Sequence, residues 1–259
     1  VGRISLDMVL GELTLGQSRR FWGDLAERTS VREILDMLSV TGGVPKYLEE
    51  IDPALTAEEN VRRLCFTPDG YLFKDFDSIF SDVFGEAVVA KRKILAALAA
   101  GPASVSEIAE RTDLDLNGRI TEELRDLSVA GFVAAANGLN PSTGKPVREV
   151  RYRLRDNYTK FYLKHIEPRK AVIDDGSYGF VSLESLEGWD VDMGYAFENL
   201  VVNNYQELLG HLHLGHALVE SAAPFRRTKS ASGGRDGDRI GGERVAYPFF
   251  LCGGVRPCL

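Results

Sequence analysis

The apolar positions of this chain recur mostly at helical spacing. Leu13, Leu15, Phe21 and Trp22 are spread through a mixed stretch at 13–22. Ile34, Leu35, Leu38 and Val40 follow at one-turn intervals behind Ser30, a residue type that caps helix starts. Thr41-Gly42-Gly43-Val44-Pro45 stops that helix, because glycine supplies the left-handed backbone of a C-cap. A short element opens at Tyr47 and ends at Asp52-Pro53. Thr56, with Glu59 three residues on, forms a capping-box signature for a helix through Leu64, and 67–75 reads as loop.

The pattern from 87 onward is more regular. Val88, Val89, Ile94, Leu95 and Leu98 make a helical face over 87–100, closed by Gly101-Pro102. Ser104 and Glu107 box a short helix to Arg111. After a turn at 113–116, Ile120, Leu124 and Leu127 mark a third helix over 117–130, ended by Gly131. Phe132-Val133, a polar loop, and an alternating run over 147–154 then predict a β-hairpin. Helix, short helix, turn, helix and hairpin is the order of a winged helix-turn-helix. Beyond it, 158–165 reads as an aromatic helix and 181–186 as a short one. Residues 194–209 read as one continuous helix with a broad apolar face. Residues 230–259 carry seven glycines and little periodicity.

Composition narrows the classes. The 259 residues are 44% hydrophobic and 27% charged, which is globular rather than disordered or collagen-like. Net charge is −7, so a uniformly basic nucleic-acid coat is excluded while a local basic patch is not. The charge is uneven: −7 over 1–87, +2 over 88–156 and −2 over 157–259. The longest apolar runs fall far short of the ~20 residues that a membrane span needs. Cys65, Cys252 and Cys258 form no Cys-x-x-Cys pair, which argues against zinc and for a reducing, cytoplasmic setting.

Three constellations could carry chemistry. The expected wing holds Lys145, Arg148, Arg151, Arg153 and Arg155, a set suited to nucleic-acid phosphates. The preceding helix, at net −1, does not look like a DNA-reading element, so a packing or protein-contact role stands beside the DNA role. Glu198 on the last strong helix and Asp238 before Ile240 could share a divalent metal in a nuclease-type catalytic pair. Such a site ordinarily adds a third acid and a Lys, and Glu243-Arg244 lacks that Lys. His211, His213 and His216 would chelate only from a strand, where 211 and 213 share a face. Nothing matches G-x-x-x-x-G-K-[ST], so no phosphate-cradling loop is present.

Gly2-Arg3, Glu12-Leu13-Thr14-Leu15 running to Phe21-Trp22, and above all Thr41-Gly42-Gly43-Val44-Pro45-Lys46-Tyr47-Leu48-Glu49 resemble the lid region of archaeal-type ATPases of the AAA superfamily. Residues 88–156 are similar to the winged helix that follows that lid. Tyr158 to Leu209, with Ala196-Phe197-Glu198-Asn199-Leu200, is similar to the start of the family's nuclease-like C-terminal domain. The resemblance covers roughly residues 1–229. It implies a mainly α fold with α+β parts: a helical ATPase lid and linker at 1–87, a winged helix-turn-helix at 88–156 and an incomplete restriction-endonuclease-like α/β domain at 157–259. It also implies that a P-loop ATPase module, in cis or trans, partners this chain. ATP and magnesium belong to the intact family, and none is expected on this chain alone. Arg3 stands where the family has a Gly-Arg close to that module. DNA is a further partner through the wing, a membrane is not, and an oligomer stays open.

Where the family shows an Asp-bearing strand and then Glu-x-Lys, this chain has Asp238-Arg239-Ile240-Gly241-Gly242 and Phe249-Phe250-Leu251-Cys252-Gly253-Gly254. A frameshift after about residue 230 would explain both. The expected function is thus the regulatory or nucleic-acid-interacting C-terminal part of an AAA-type ATP-binding protein. The alternatives are a stand-alone winged-helix DNA-binding regulator and a decayed metal-dependent nuclease.

Overall fold

The structure is a computed structural model, and it describes residues 11–84, 88–116, 118–139, 146–178 and 182–213. These residues are mainly helical, with one small antiparallel sheet. None of their helices is long and apolar enough to cross a membrane.

The first part is built of short helices: α1 (Leu15–Ser18), a 3-10 stretch (Arg19–Leu25), α2 (Val31–Thr41), α3 (Pro45–Leu48), α4 (Ala57–Cys65) and α5 (Tyr71–Phe84). Capping places their starts. Ser30 accepts the Glu33 N–H at 3.1 Å, and Thr56 and Glu59 close a full capping box on α4. Helix α2 buries Ile34, Met37 and Leu38, one turn apart, and ends where Gly42 turns to φ +61°. The loop expected over 67–75 is helical from Tyr71 onward. Leu72, Phe73, Phe76 and Phe80 form a buried stripe, and the Pro68-Asp69-Gly70 punctuation only marks where α5 begins.

The next elements are α6 (Val88–Ala99), β1 (Ala103–Ser104), α7 (Val105–Thr112), α8 (Gly118–Val129), β2 (Val133–Leu139) and β3 (Pro146–Leu154). The expected box is present: Ser104 and Glu107 cap α7 reciprocally. Ile120, Leu124 and Leu127 point inward from α8. Gly131, at φ +86°, turns the chain out of that helix into β2. The sheet order is β1-β3-β2, antiparallel throughout, with Val133 opposite Leu154 and Ala103 opposite Tyr152.

The last part holds α9 (Asn157–Phe161), a π-helical turn (Tyr162–Ile166), a 3-10 turn (Glu167–Arg169), α10 (Lys170–Asp174), a 3-10 turn (Leu183–Ser185), α11 (Trp189–Asn203) and α12 (Tyr205–His211). The single helix expected over 194–209 starts earlier and breaks at Asn204, where φ is −111°. Ala196 and Leu200 are buried as expected, but Phe197, assigned to the same face, is 46% exposed.

One buried apolar cluster runs from Trp22 to Leu200 without interruption at 87/88 or 156/157. Aromatic contacts join its parts. Phe76 stacks on Tyr162 at 3.9 Å between ring centroids, and Tyr158 meets Tyr47 edge-on at 4.7 Å. The Tyr158 hydroxyl donates to the Leu72 carbonyl. Arg92 on α6 bridges Asp77 of α5 and Glu167.

Candidate functional site

The hairpin supplies most of the sequence-selected side chains, so the site is built from its base. Lys145 lies outside the described residues, as does the side chain of Arg148. Of the other three expected phosphate contacts, Arg151 and Arg153 bond back into the protein. Arg151 donates to Glu107 at 2.7 Å and to the Pro102 carbonyl at 2.9 Å. Glu107 already caps α7, so Arg151 ties the hairpin to that cap. Arg153 donates to Asn199 and, at 2.7 Å, to Asn203, both on α11. Burial, with Arg155 beside it, lowers the Arg153 guanidinium to a pKa of about 10. Arg155 is half-buried, and its carbonyl accepts from Asn199 at 2.5 Å and Asn203 at 3.2 Å.

A half-buried acid meets these arginines. Glu12 sits beside the Gly42-Gly43 turn and accepts the Gly43 N–H. Burial, and then the charge of Asp156, raise its carboxyl to a pKa of about 7 against the pull of Arg155 and Arg153. Asp156 is itself buried and caps α9, accepting the Thr159 N–H at 2.7 Å. Asn157 then reaches Asn199 at 2.7 Å and the Leu38 carbonyl at 3.4 Å. The junction thus joins the first segment, the hairpin base and α11.

The glycine pair of Thr41-Gly42-Gly43 gets a physical account here. The Leu13 N–H donates to the Gly43 carbonyl at 2.8 Å, so residues 11–14 cross directly over the turn. A Cβ on Gly43 would stand 2.2 Å from the Leu13 carbonyl oxygen, which no side chain allows.

The raised Glu12 pKa has a measurable sign. The unfolded carboxyl titrates near 4.5 and the folded one near 7. Between these values the folded state holds the proton more often, so stability falls as pH rises through the window. The full swing is about 3 kcal/mol at ~1.4 kcal/mol per pKa unit. Urea unfolding at pH 5 and pH 8 should show this loss in the parent and little of it in Glu12→Gln. Equal pH dependence in both proteins would remove Glu12 from the buried junction.

Helix α8, where a DNA-reading element would lie, is not as acidic at its surface as its sequence suggests. Glu123 is buried and paired with Lys91 of α6, and Asp126 reaches the same lysine at 3.2 Å. Burial lowers the Lys91 ammonium, but the two carboxylates outweigh it and leave its pKa raised. Arg119 stands 3.6 Å from Glu123. Helix α8 therefore presents balanced charge and no basic excess.

Glu198 of the expected catalytic pair is half-buried on α11, and its charge acts on Lys160. Asp238 lies outside the described residues. Glu198 stands near a polar cluster not singled out by the sequence. Asp192 holds Lys164 at 2.5 Å and lies 3.2 Å from the buried His165 ring, outside straight hydrogen-bond geometry. Burial raises the Asp192 carboxyl, and His165 and Lys164 together pull it below its usual range. Lys160, its ammonium 4.5 Å from the Tyr195 ring centre, is lowered by burial to about 8. The i, i+4 spacing of Lys160 and Lys164 was the available signal. His211 ends α12 and His213 follows at φ +57°, so they share no strand, and His216 lies outside the described residues. No three or more metal-ligating side chains gather among the described residues.

No known family's sequence model matches the chain, and no solved structure does. An uncharacterized protein of Methanocaldococcus jannaschii is 23% identical over 170 residues, 65% of this chain. The chain spans only about a third of that relative's length, 36%.

Proposed function

We propose that this chain is the coupling part of an AAA-type ATP-binding protein, made of a lid, a winged helix and the first helices of a nuclease-like domain. The observation that carries this reading is the junction of Glu12, the Gly42-Gly43 turn, Arg153, Asp156 and Asn199. It joins lid, wing base and α11 through partly buried polar contacts, which favour this arrangement because a desolvated polar group is costly to leave unpaired. In this reading a P-loop module outside this chain binds ATP, and a displacement of the lid carries the winged helix and α11 along. The wing arginines serve as internal ties, which supports a regulatory role over direct DNA contact.

The test uses the whole gene product that contains this chain. It is expected to hydrolyse ATP, and nucleotide is expected to change the hydrogen exchange of the Leu13 amide. A gene product without ATP hydrolysis would overturn the reading. On DNA, Arg151→Ala and Arg153→Ala should leave both affinity and its salt dependence unchanged. A wing holding phosphates would instead lose about 0.9 from the salt slope per contact, and that result would favour the DNA-binding regulator.

A further inference from the structure

Two short helices far apart in sequence complete each other. Helix α1 has four residues, too few to persist alone, because one turn gains little for the backbone it fixes. Its first N–H groups need partners from elsewhere. Thr14 and Gln17 supply a local capping box, while α12 and the residue before it supply the rest. The Leu15 N–H donates to Asn204 Oδ1 at 3.1 Å. The Gly16 N–H donates to Glu207 Oε1 at 3.2 Å, and the Thr14 hydroxyl donates to the same oxygen at 3.1 Å. The fit is tight: a Cβ on Gly16 would stand 2.6 Å from Glu207 Oε1.

Helix α12 is equally marginal. It has seven residues, none of them buried, and no side-chain cap at its start. The main body of α11 is held by Ala196 and Leu200 in the core, but that anchor ends before Asn204. Residues 14–16 therefore supply polar contacts that dock α12, beside its partly buried Leu208 and Leu209.

We infer that residues 11–18 form a strap that latches α12, with Glu207 as the clasp, so that strap and α12 order and release together. This rests on the coupling reading for its purpose: displacement entering ahead of Gly11 would reach α12 directly, without passing through the winged helix. The strap is attached at one side to the Gly43 carbonyl through Leu13 and at the other to Glu207. Leu13 and Leu15 also pack against the core and Ser18 is buried, so the strap is firmly seated, and the release is local to its α12 end, where the attachment is a few hydrogen bonds.

Hydrogen exchange on this chain, without nucleotide, tests the latch. Glu207→Gln keeps the shape and removes the charge that strengthens the bonds to Gly16 and Thr14. Amides of 15–17 and of 208–212 should exchange about tenfold faster together, the scale of one charge-assisted hydrogen bond. The amides of Leu124 and Leu127 on α8 should not change. Gly16→Ala approaches the clasp from the strap side and should accelerate 208–212 as well. Faster exchange confined to the mutated element in either variant would overturn the latch, as would no change in both. Acceleration spreading into α8 would overturn it too, since that is global loosening. These rates do not depend on ATP, so a gene product without a P-loop module would end the coupling reading and leave the latch standing.

Discussion

Gly43→Ala is expected to destabilise the protein by about 3 kcal/mol, the upper part of the range for overpacking a closed site. The new methyl would have to push away the Leu13 carbonyl, 2.2 Å from the ideal Cβ position, and that atom is backbone rather than a movable side-chain end. Relief would mean lifting residues 11–14 off the turn. That would break the Leu13–Gly43 hydrogen bond and move Glu12 away from the Gly43 N–H. In thermal unfolding the loss should lower Tm by about 6–10 °C for a chain of this size. Gly42→Ala acts by another route. Its φ of +61° is strained for alanine, but the nearest atom to the added Cβ is 3.6 Å away, an ordinary contact. Gly42→Ala should therefore be milder. A Gly43→Ala protein as stable as its parent would mean that the strap does not cross the turn.

Lys91→Met is expected to cost about 3 kcal/mol, because it takes from the buried Glu123 its buried partner and leaves only the exposed Arg119, 3.6 Å away. Lys91 and Glu123 are 4% and 9% exposed at their side chains, so solvent cannot take over the carboxylate. Asp126, half exposed, can turn to water and contributes little to the loss. Lys91→Met with Glu123→Leu should recover most of the stability, since the pair then becomes apolar contact between α6 and α8. Urea unfolding of the two single variants and the double variant gives the coupling directly. A Lys91→Met loss under 1 kcal/mol would show that the pair is solvated. It would also return Glu123 to the surface of α8, and with it the acidic face that the sequence suggested.

The sequence showed the arginines of β3 as a basic set because alternation along a strand gives faces, not partners. Arg151 and Arg153 stand on one face of β3, where a strand reading aims them at solvent. Glu107 and Asn199 are 44 and 46 residues away from them, and only the folded chain brings each to its arginine. The same limit hid the cluster around Asp192, whose lysines and histidine come from α9 and the π turn. Glu198 was visible as an acid on a strong helix. Its neighbour Lys160, 38 residues earlier in the chain, was not.

By itself the sequence determined the capped starts at Ser30, Thr56 and Ser104, the stop at Gly42 and the strand pair of the hairpin. Each depends on contacts within a few residues: Ser30 with Glu33, Thr56 with Glu59, Ser104 with Glu107, and a backbone that only glycine adopts readily. Tertiary structure alone decided that residues 11–14 cross Gly43, that Glu123 turns inward to Lys91, and that Asn204 and Glu207 cap α1. Those outcomes depend on which charges and backbone groups lose water together. Desolvation is a property of the packed whole, and no spacing along the chain encodes it.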